Sequence, residues 1–237
     1  QGEEIIHPHI ETPRKTSTEP AALDRPSADQ SYLSGLRLRG PRAVILLESS
    51  GSMLAETAQE ALTLLRQGSW QSSAKWRRAR NALQAVLAAV PKGTEVAIFQ
   101  MGEATTAISG SPGAPYINPY DNAALLRLLD QLEQWEPRGG ANLAQGFRTV
   151  ADLKQRASSI LLIGDGLPTA PAPAQSGLSE SDRVRLFNQA RASRPNAPFN
   201  AILFPFEGDP SAAGLFWNLS GQTNGITLIP DSDWPNI

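Results

Sequence analysis

Five consecutive apolar residues, Ala43 to Leu47 (AVILL), stand between Arg42 and Glu48. A run too short for a helix and apolar at every position reads as a strand covered on both faces, which demands a layer of helices on each side. Further strands are expected at Glu95–Met101, Ser159–Ile163, Phe199–Phe204 and Gly225–Ile229, and Thr106–Ser109 suits an antiparallel edge. Between them, Trp76, Ala79, Leu83, Val86, Leu87 and Val90 recur at helical spacing, and Pro91-Lys92-Gly93 stops that helix. Leu125, Leu128, Leu129 and Leu132 form a second stripe, with Asp121 as its cap. Leu143 with Phe147 and Val150, Val184 with Phe187, and Leu215 with Leu219 supply three more. Strands and helices alternating in this way predict βαβ units and a mainly parallel α/β sheet.

The first 40 residues do not share this pattern. They hold four prolines and eleven charged residues of mixed sign, with no aromatic before Tyr32 and no valine before Val44. Such a stretch buries too little apolar surface to offset ordering its backbone. Residues 1–40 are therefore expected to be a mobile arm or linker, and 41–237 one domain. A chain opening on Gln1 rather than Met is read as processed or cut from a longer one, so a preceding anchor is expected to be missing from it. Lys+Arg 21 against Asp+Glu 23 offers no bulk positive field for nucleic acid. No apolar run reaches the ~18 residues of a membrane span. Without cysteine there are no disulfides, thiolate metal sites or cysteine nucleophiles.

In a sheet of this kind ligands sit beyond the carboxyl ends of the strands. The first strand ends in Glu48-Ser49-Ser50-Gly51-Ser52-Met53, and the Ser159–Ile163 strand in Gly164-Asp165-Gly166-Leu167-Pro168. Between them, Arg138-Gly139-Gly140-Ala141-Asn142 opens a helix. Two carboxylates and two hydroxyls at one sheet edge suit a hard cation with oxygen ligands. The same residues can equally form a Ser/Gly turn whose polar groups bond locally.

These segments resemble the von Willebrand factor A (VWA) domain, over about Arg42 to Pro230. The resemblance implies a Rossmann-like three-layer fold and a metal-ion-dependent adhesion site. That site is built from D-x-S-x-S after the first strand, a Thr in a Gly-Gly-Thr loop and the Asp of D-G-x-P. Ser50, Ser52 and Asp165 match; Glu48 replaces the first Asp and Ala141 replaces the Thr. The resemblance thus implies Glu48, Ser50, Ser52 and Asp165 as the metal ligands of a degenerate site, with Mg²⁺ or Ca²⁺ bound weakly or no cofactor at all. The longer Glu displaces its carboxylate by about 1.5 Å, which near-octahedral Mg²⁺ tolerates worse than Ca²⁺. The stretch from Tyr32 to Met53 is also similar to bacterial VWA proteins with one N-terminal membrane helix, implying a periplasmic or cell-envelope location.

The expected function is protein binding, through a face formed by Ser50, Ser52, Gly140, Ala141 and Asp165. A purely structural module of a larger envelope protein and a metal-assisted hydrolase are the alternatives. No catalytic residue is expected. His7 and His9 both fall in the arm, so no Ser–His–Asp arrangement can form in the domain. Ser72-Ser73-Ala74-Lys75 fits S-x-x-K but has no accompanying S-D-N or K-T-G. Lys75, Arg77, Arg78 and Arg80 read as a solvated basic face.

Overall fold

The computed structural model describes Leu33, Gly35, Leu36 and residues 38–111, 113–171, 177–231 and 234–235. The expected arm, with His7 and His9, lies largely outside them. Leu33 and Leu38, which the composition assigns to the arm, are each 7% exposed and belong to the core. With the half-buried Leu36 they lie beside Val86, Ala89 and Pro91.

The strands are β1 (Arg42–Glu48), β2 (Glu95–Met101), β3 (Thr105–Ala107), β4 (Tyr116–Ile117), β5 (Ser159–Gly164), β6 (Phe199–Leu203) and β7 (Thr227–Leu228). They pair into one seven-stranded sheet of order β3-β2-β1-β5-β6-β7, with β4 also on β2. β1, β2, β5, β6 and β7 run parallel, and β3 and β4 pair with β2 antiparallel. The helices are α1 (Ala58–Gln67), α2 (Ala74–Ala89), α3 (Asn122–Glu133), α4 (Leu143–Ala151), α5 (Glu180–Ala192) and α6 (Ser211–Gln222). This is the mostly parallel, three-layer architecture expected. The strand at Gly225–Ile229 shortens to two residues, and α1 and β4 are elements beyond those expected.

β1 divides the interior. Ala43, Ile45 and Leu47 face one core with Trp76, Leu83 and Val86 of α2 and Leu125, Leu128 and Leu132 of α3. Val44 and Leu46 face the other, with Phe147 of α4, Phe187 of α5 and Phe216 of α6. The apolar run is continuous because a residue on either face of this strand meets a helical layer.

Helix starts follow side-chain chemistry. Ser73 accepts from the Trp76 N–H to begin α2, Asp121 from Ala123 and Ala124 to begin α3, and Asn142 from Gln145 to begin α4. Ser179 and Asp182 form a reciprocal capping box on α5. Because β1 lies between β2 and β5, chain direction across the sheet reverses at its flank, so the crevice sits where β1 and β5 end.

Candidate functional site at the ends of β1 and β5

Glu48 is the last residue of β1 and Asp165 follows the last residue of β5. Parallel pairing keeps these ends level, from Ala43 opposite Ser159 to Leu47 opposite Ile163. Gly164 makes the approach possible: a Cβ there would fall 2.3 Å from Glu48 Oε2. The Asp165 N–H donates to that oxygen at 3.3 Å.

From Glu48 a chain of hydroxyls crosses the crevice. Ser50 Oγ donates to Glu48 Oε1 at 2.6 Å and lies 2.8 Å from Ser52 Oγ, which donates to Asp165 Oδ1 at 3.0 Å. The structure thus brings Glu48, Ser50, Ser52 and Asp165 into one hydrogen-bonded cluster. Ser50, Glu48 and Asp165 are buried, and Ser52 is half-exposed.

The remaining partner is Lys75, at the second position of α2. Helical side chains lean toward the helix N-terminus, and this one reaches past it into the cluster. Its Nζ donates to Asp165 Oδ2 at 2.6 Å and to the carbonyls of Ser52 and Ala55 at 3.0 Å each. An ammonium has three N–H donors, so all are used. The Lys75 and Asp165 side chains are each 2% exposed. The Phe206 ring lies 4.9 Å from Nζ, and the Glu207 N–H donates to the Glu56 carbonyl, joining the two segments beside the ammonium.

Lys75 therefore departs from the expected solvated face. Of that basic run, Arg77 is exposed; Arg78 is half-buried, donating to the Trp234 carbonyl and lying over the Phe204 ring. The S-x-x-K pair does not act together. Ser72 is exposed and donates to the Ser69 carbonyl, while Lys75 is committed to other oxygens.

The glycine-rich loop is tied to the same edge through its backbone. The Gly51 N–H donates to Gly139 O, Arg138 N–H to Ser49 O, and Asn142 N–H to Gly102 O. The Ala141 carbonyl accepts from both Thr169 and Ala170 N–H, and its N–H donates to Thr169 Oγ1 at 3.0 Å. Gly140 has no room for a side chain, since a Cβ would meet Thr169 Oγ1 at 2.7 Å. Ala141 is buried and contributes a methyl group; Gly140 is half-exposed.

Behind Asp165, Asp209 Oδ2 accepts from the Leu167 N–H at 2.6 Å and pairs with Arg183 at 3.3 Å. Burial pushes the Asp209 carboxyl above its ordinary range, against the Leu167 hydrogen bond and the Arg183 charge. Gly166 again leaves the space, its Cβ position lying 2.5 Å from Asp209 Oδ2. Lys75, Thr169, Asp209 and Arg183 were not legible as site residues. The one available signal was Thr169, directly after Asp165-Gly166-Leu167-Pro168.

A divalent cation does not fit the cluster as it stands. Both Asp165 oxygens are already committed, Oδ1 to the Ser52 hydroxyl and Oδ2 to the Lys75 ammonium, whose charge repels a second cation at the same carboxylate. Ala141 has no side-chain oxygen to offer. Among the described residues, no group of three or more His, Asp or Glu is arranged to hold a metal ion.

Burial, with the Asp165 charge second, pushes the Glu48 carboxyl well above its ordinary value of 4.5; the Ser50 hydrogen bond opposes but does not reverse this. The folded state then holds the Glu48 proton more tightly than the unfolded chain. Its contribution to stability is full below about pH 4.5 and is lost as pH rises through the folded value. Glu48→Gln, a neutral isostere, should remove this component. Denaturant melts of parent and variant should converge in acid and diverge above it, by at most about 1.4 kcal/mol per pH unit. Curves parallel across pH 4 to 8 would contradict the assignment.

A family model of the von Willebrand factor type A domain matches residues 64–227. Among curated proteins no sequence matches the chain. Of solved structures, a von Willebrand factor type A protein from Catenulispora acidiphila superposes with a TM-score of 0.51 at 15% identity, over 80% of this chain and 38% of that one. The PilB minor pilin from Streptococcus sanguinis gives 0.51 at 13% identity, over 78% of this chain and 56% of that one. The chain therefore spans well under two thirds of either protein, and identities this low speak to fold alone. The matched segment starts inside α1, so β1 and its Ser-rich turn fall outside it, yet the structure seats β1 at the centre of the sheet between β2 and β5. On the sequence match and this three-layer architecture, the chain belongs to the von Willebrand factor type A domain family.

Proposed function

We propose that the domain is a protein-binding module that contacts its partner through the loops at the carboxyl ends of β1 and β5, without needing a divalent cation. One observation carries this reading. Backbone hydrogen bonds join the Ser-rich turn, the glycine-rich loop and the segment after β5 into a single platform, while Glu48, Ser50, Ser52, Asp165 and Lys75 beneath form one hydrogen-bonded network. Such a platform is preorganised, and binding to it costs little loop ordering. Ser52 and Gly140 are half-exposed, and Glu103 and Arg138 are exposed beside the same loops. Ser50, Ala141 and Asp165 act from below, by holding the loops in place.

Catalysis finds little support in these groups, because the Lys75 ammonium has no free donor and Ser72 faces solvent. Among the described residues no helix is long and apolar enough to cross a membrane. A cell-envelope location is part of the proposal. It is supported by the similarity of Tyr32 to Met53 to membrane-anchored bacterial VWA proteins, and by the same fold in a minor pilin.

Immobilised chain should capture the same partner in EDTA and in MgCl₂. Glu103→Lys with Arg138→Glu should weaken capture about tenfold, the equivalent of ~1.4 kcal/mol. Capture that requires Mg²⁺, or that ignores the rim variant, would sink the reading.

A further inference from the structure

We propose that Lys75 is a built-in cation: its ammonium fills a cage of oxygens that, without it, takes up a hard divalent ion, Ca²⁺ in preference to Mg²⁺. The assignment stands whether or not the overlying surface binds a protein.

The cage is defined by what converges on Nζ. Asp165 Oδ2 lies at 2.6 Å, and the carbonyl oxygens of Ser52 and Ala55 lie at 3.0 Å. One carboxylate and two main-chain carbonyls, with side chains 2% exposed at the ion pair, are hard oxygen donors of the kind that Ca²⁺ collects. Ca²⁺–oxygen contacts of about 2.3–2.6 Å require the carbonyls to close in by roughly half an ångström, and water can complete a flexible shell. Mg²⁺ asks for a tighter octahedron at about 2.0–2.1 Å and gives up water reluctantly, so it suits this arrangement less.

The three oxygens come from two places in the chain, and the ammonium from a third. Ser52 and Ala55 belong to the turn after β1, Asp165 to the end of β5, and the ammonium arrives from the first turn of α2. Lys75 therefore joins three elements through one positive centre, as a coordinated ion would. A lone ammonium buried without such partners would be costly, and burying it against three fitted oxygens requires them to be held there by the fold. The Phe206 face at 4.9 Å closes a further side of the same centre.

The consequence is specific. Lys75→Ala leaves Asp165 buried with its partner gone and the cage open. Melting of wild type and variant would be followed in EDTA, in CaCl₂ and in MgCl₂, with calcium binding measured directly by titration calorimetry. Wild type should melt at the same temperature in all three. Lys75→Ala should melt lower in EDTA and regain about 3 to 6 °C in ~10 mM CaCl₂, taking the ~1 mM affinity of weak oxygen-ligand calcium modules. The gain from MgCl₂ should be smaller. A merely structural lysine would be destabilising to remove but would confer no response to calcium. Should the variant fail to fold in EDTA, folding recovered by CaCl₂, seen by circular dichroism, is the same result in stronger form. Three outcomes overturn the proposal: a folded variant indifferent to both ions, a variant unfolded with and without calcium, or wild type binding either ion more tightly than about 1 mM.

Discussion

Asp165→Ala is expected to destabilise the domain by about 3 to 5 kcal/mol in chelator, because it strands the Lys75 ammonium in a site 2% exposed. For a chain of this size that is a fall in melting temperature of roughly 6 to 20 °C. The size of the loss reflects the charge left behind more than the net worth of the ion pair, which carries a large desolvation cost of its own. Removing both charges separates the two quantities. Asp165→Ala combined with Lys75→Met, which keeps the apolar stem and drops the ammonium, should recover most of the loss. The methionine side chain would still pack beside Phe206, which lies against the native lysine. The double-mutant cycle should then show a coupling of at least about 2 kcal/mol, far above the few tenths expected of independent sites. An Asp165→Ala variant that loses less than about 1 kcal/mol would mean that water reaches the ammonium and that the cluster is not closed.

The second large effect lies in the core around the start of β6. Phe199 is fully buried, edge-on to Phe147 of α4 at 5.6 Å and stacked on Phe216 of α6 at 6.2 Å; Phe216 in turn meets Phe187 of α5 at 4.9 Å. One ring on the sheet thus joins a chain of aromatics running through all three helices of that layer. Phe199→Ala should cost about 3 to 5 kcal/mol, from lost transfer energy and the cavity left between packed elements. Phe199→Leu, which retains most of the volume, should cost less than half as much. Each aromatic pair adds about 0.5 to 1.5 kcal/mol beyond burial. Urea unfolding should show the midpoint falling with an unchanged slope, since the surface exposed on unfolding is nearly the same. A loss below about 1.5 kcal/mol for the alanine variant would show that the helices close over the gap.

Periodicity is present in α1, which the elements expected from the sequence omit. Ala61, Leu64 and Leu65 fall at i, i+3 and i+4 on one face, with Ala61 buried and the two leucines half-buried against the core, a short stripe over ten residues. Its ends are written in the chain as well. Thr57 caps the Glu60 N–H three residues on, and Gly68 closes the helix in the left-handed conformation at φ 63°. The caps and the short stripe together mark the helix, and its stability comes from packing that face on the core. β4 escaped for a different reason: two residues carry no period, and they pair because β2 offers a free edge.

Much of the architecture was determined by sequence alone. The uninterrupted apolar run of β1, the helical stripes and the Ser, Asp and Asn caps are local properties, and each dictates its element wherever the rest of the chain lies. The order of the site segments along the chain, and their placement at strand ends, follow from the same pattern. Only the tertiary structure decided what the cluster became. Lys75 and Asp165 are separated by 90 positions, and nothing near either residue announces the other. In sequence the lysine is one of four basic residues at the start of a helix, where exposure is the ordinary outcome. It turns inward because the parallel pairing of β1 with β5 presents a buried carboxylate and two carbonyls just ahead of α2. A buried charge is stable only where a complete set of partners surrounds it, and that set is assembled by the fold.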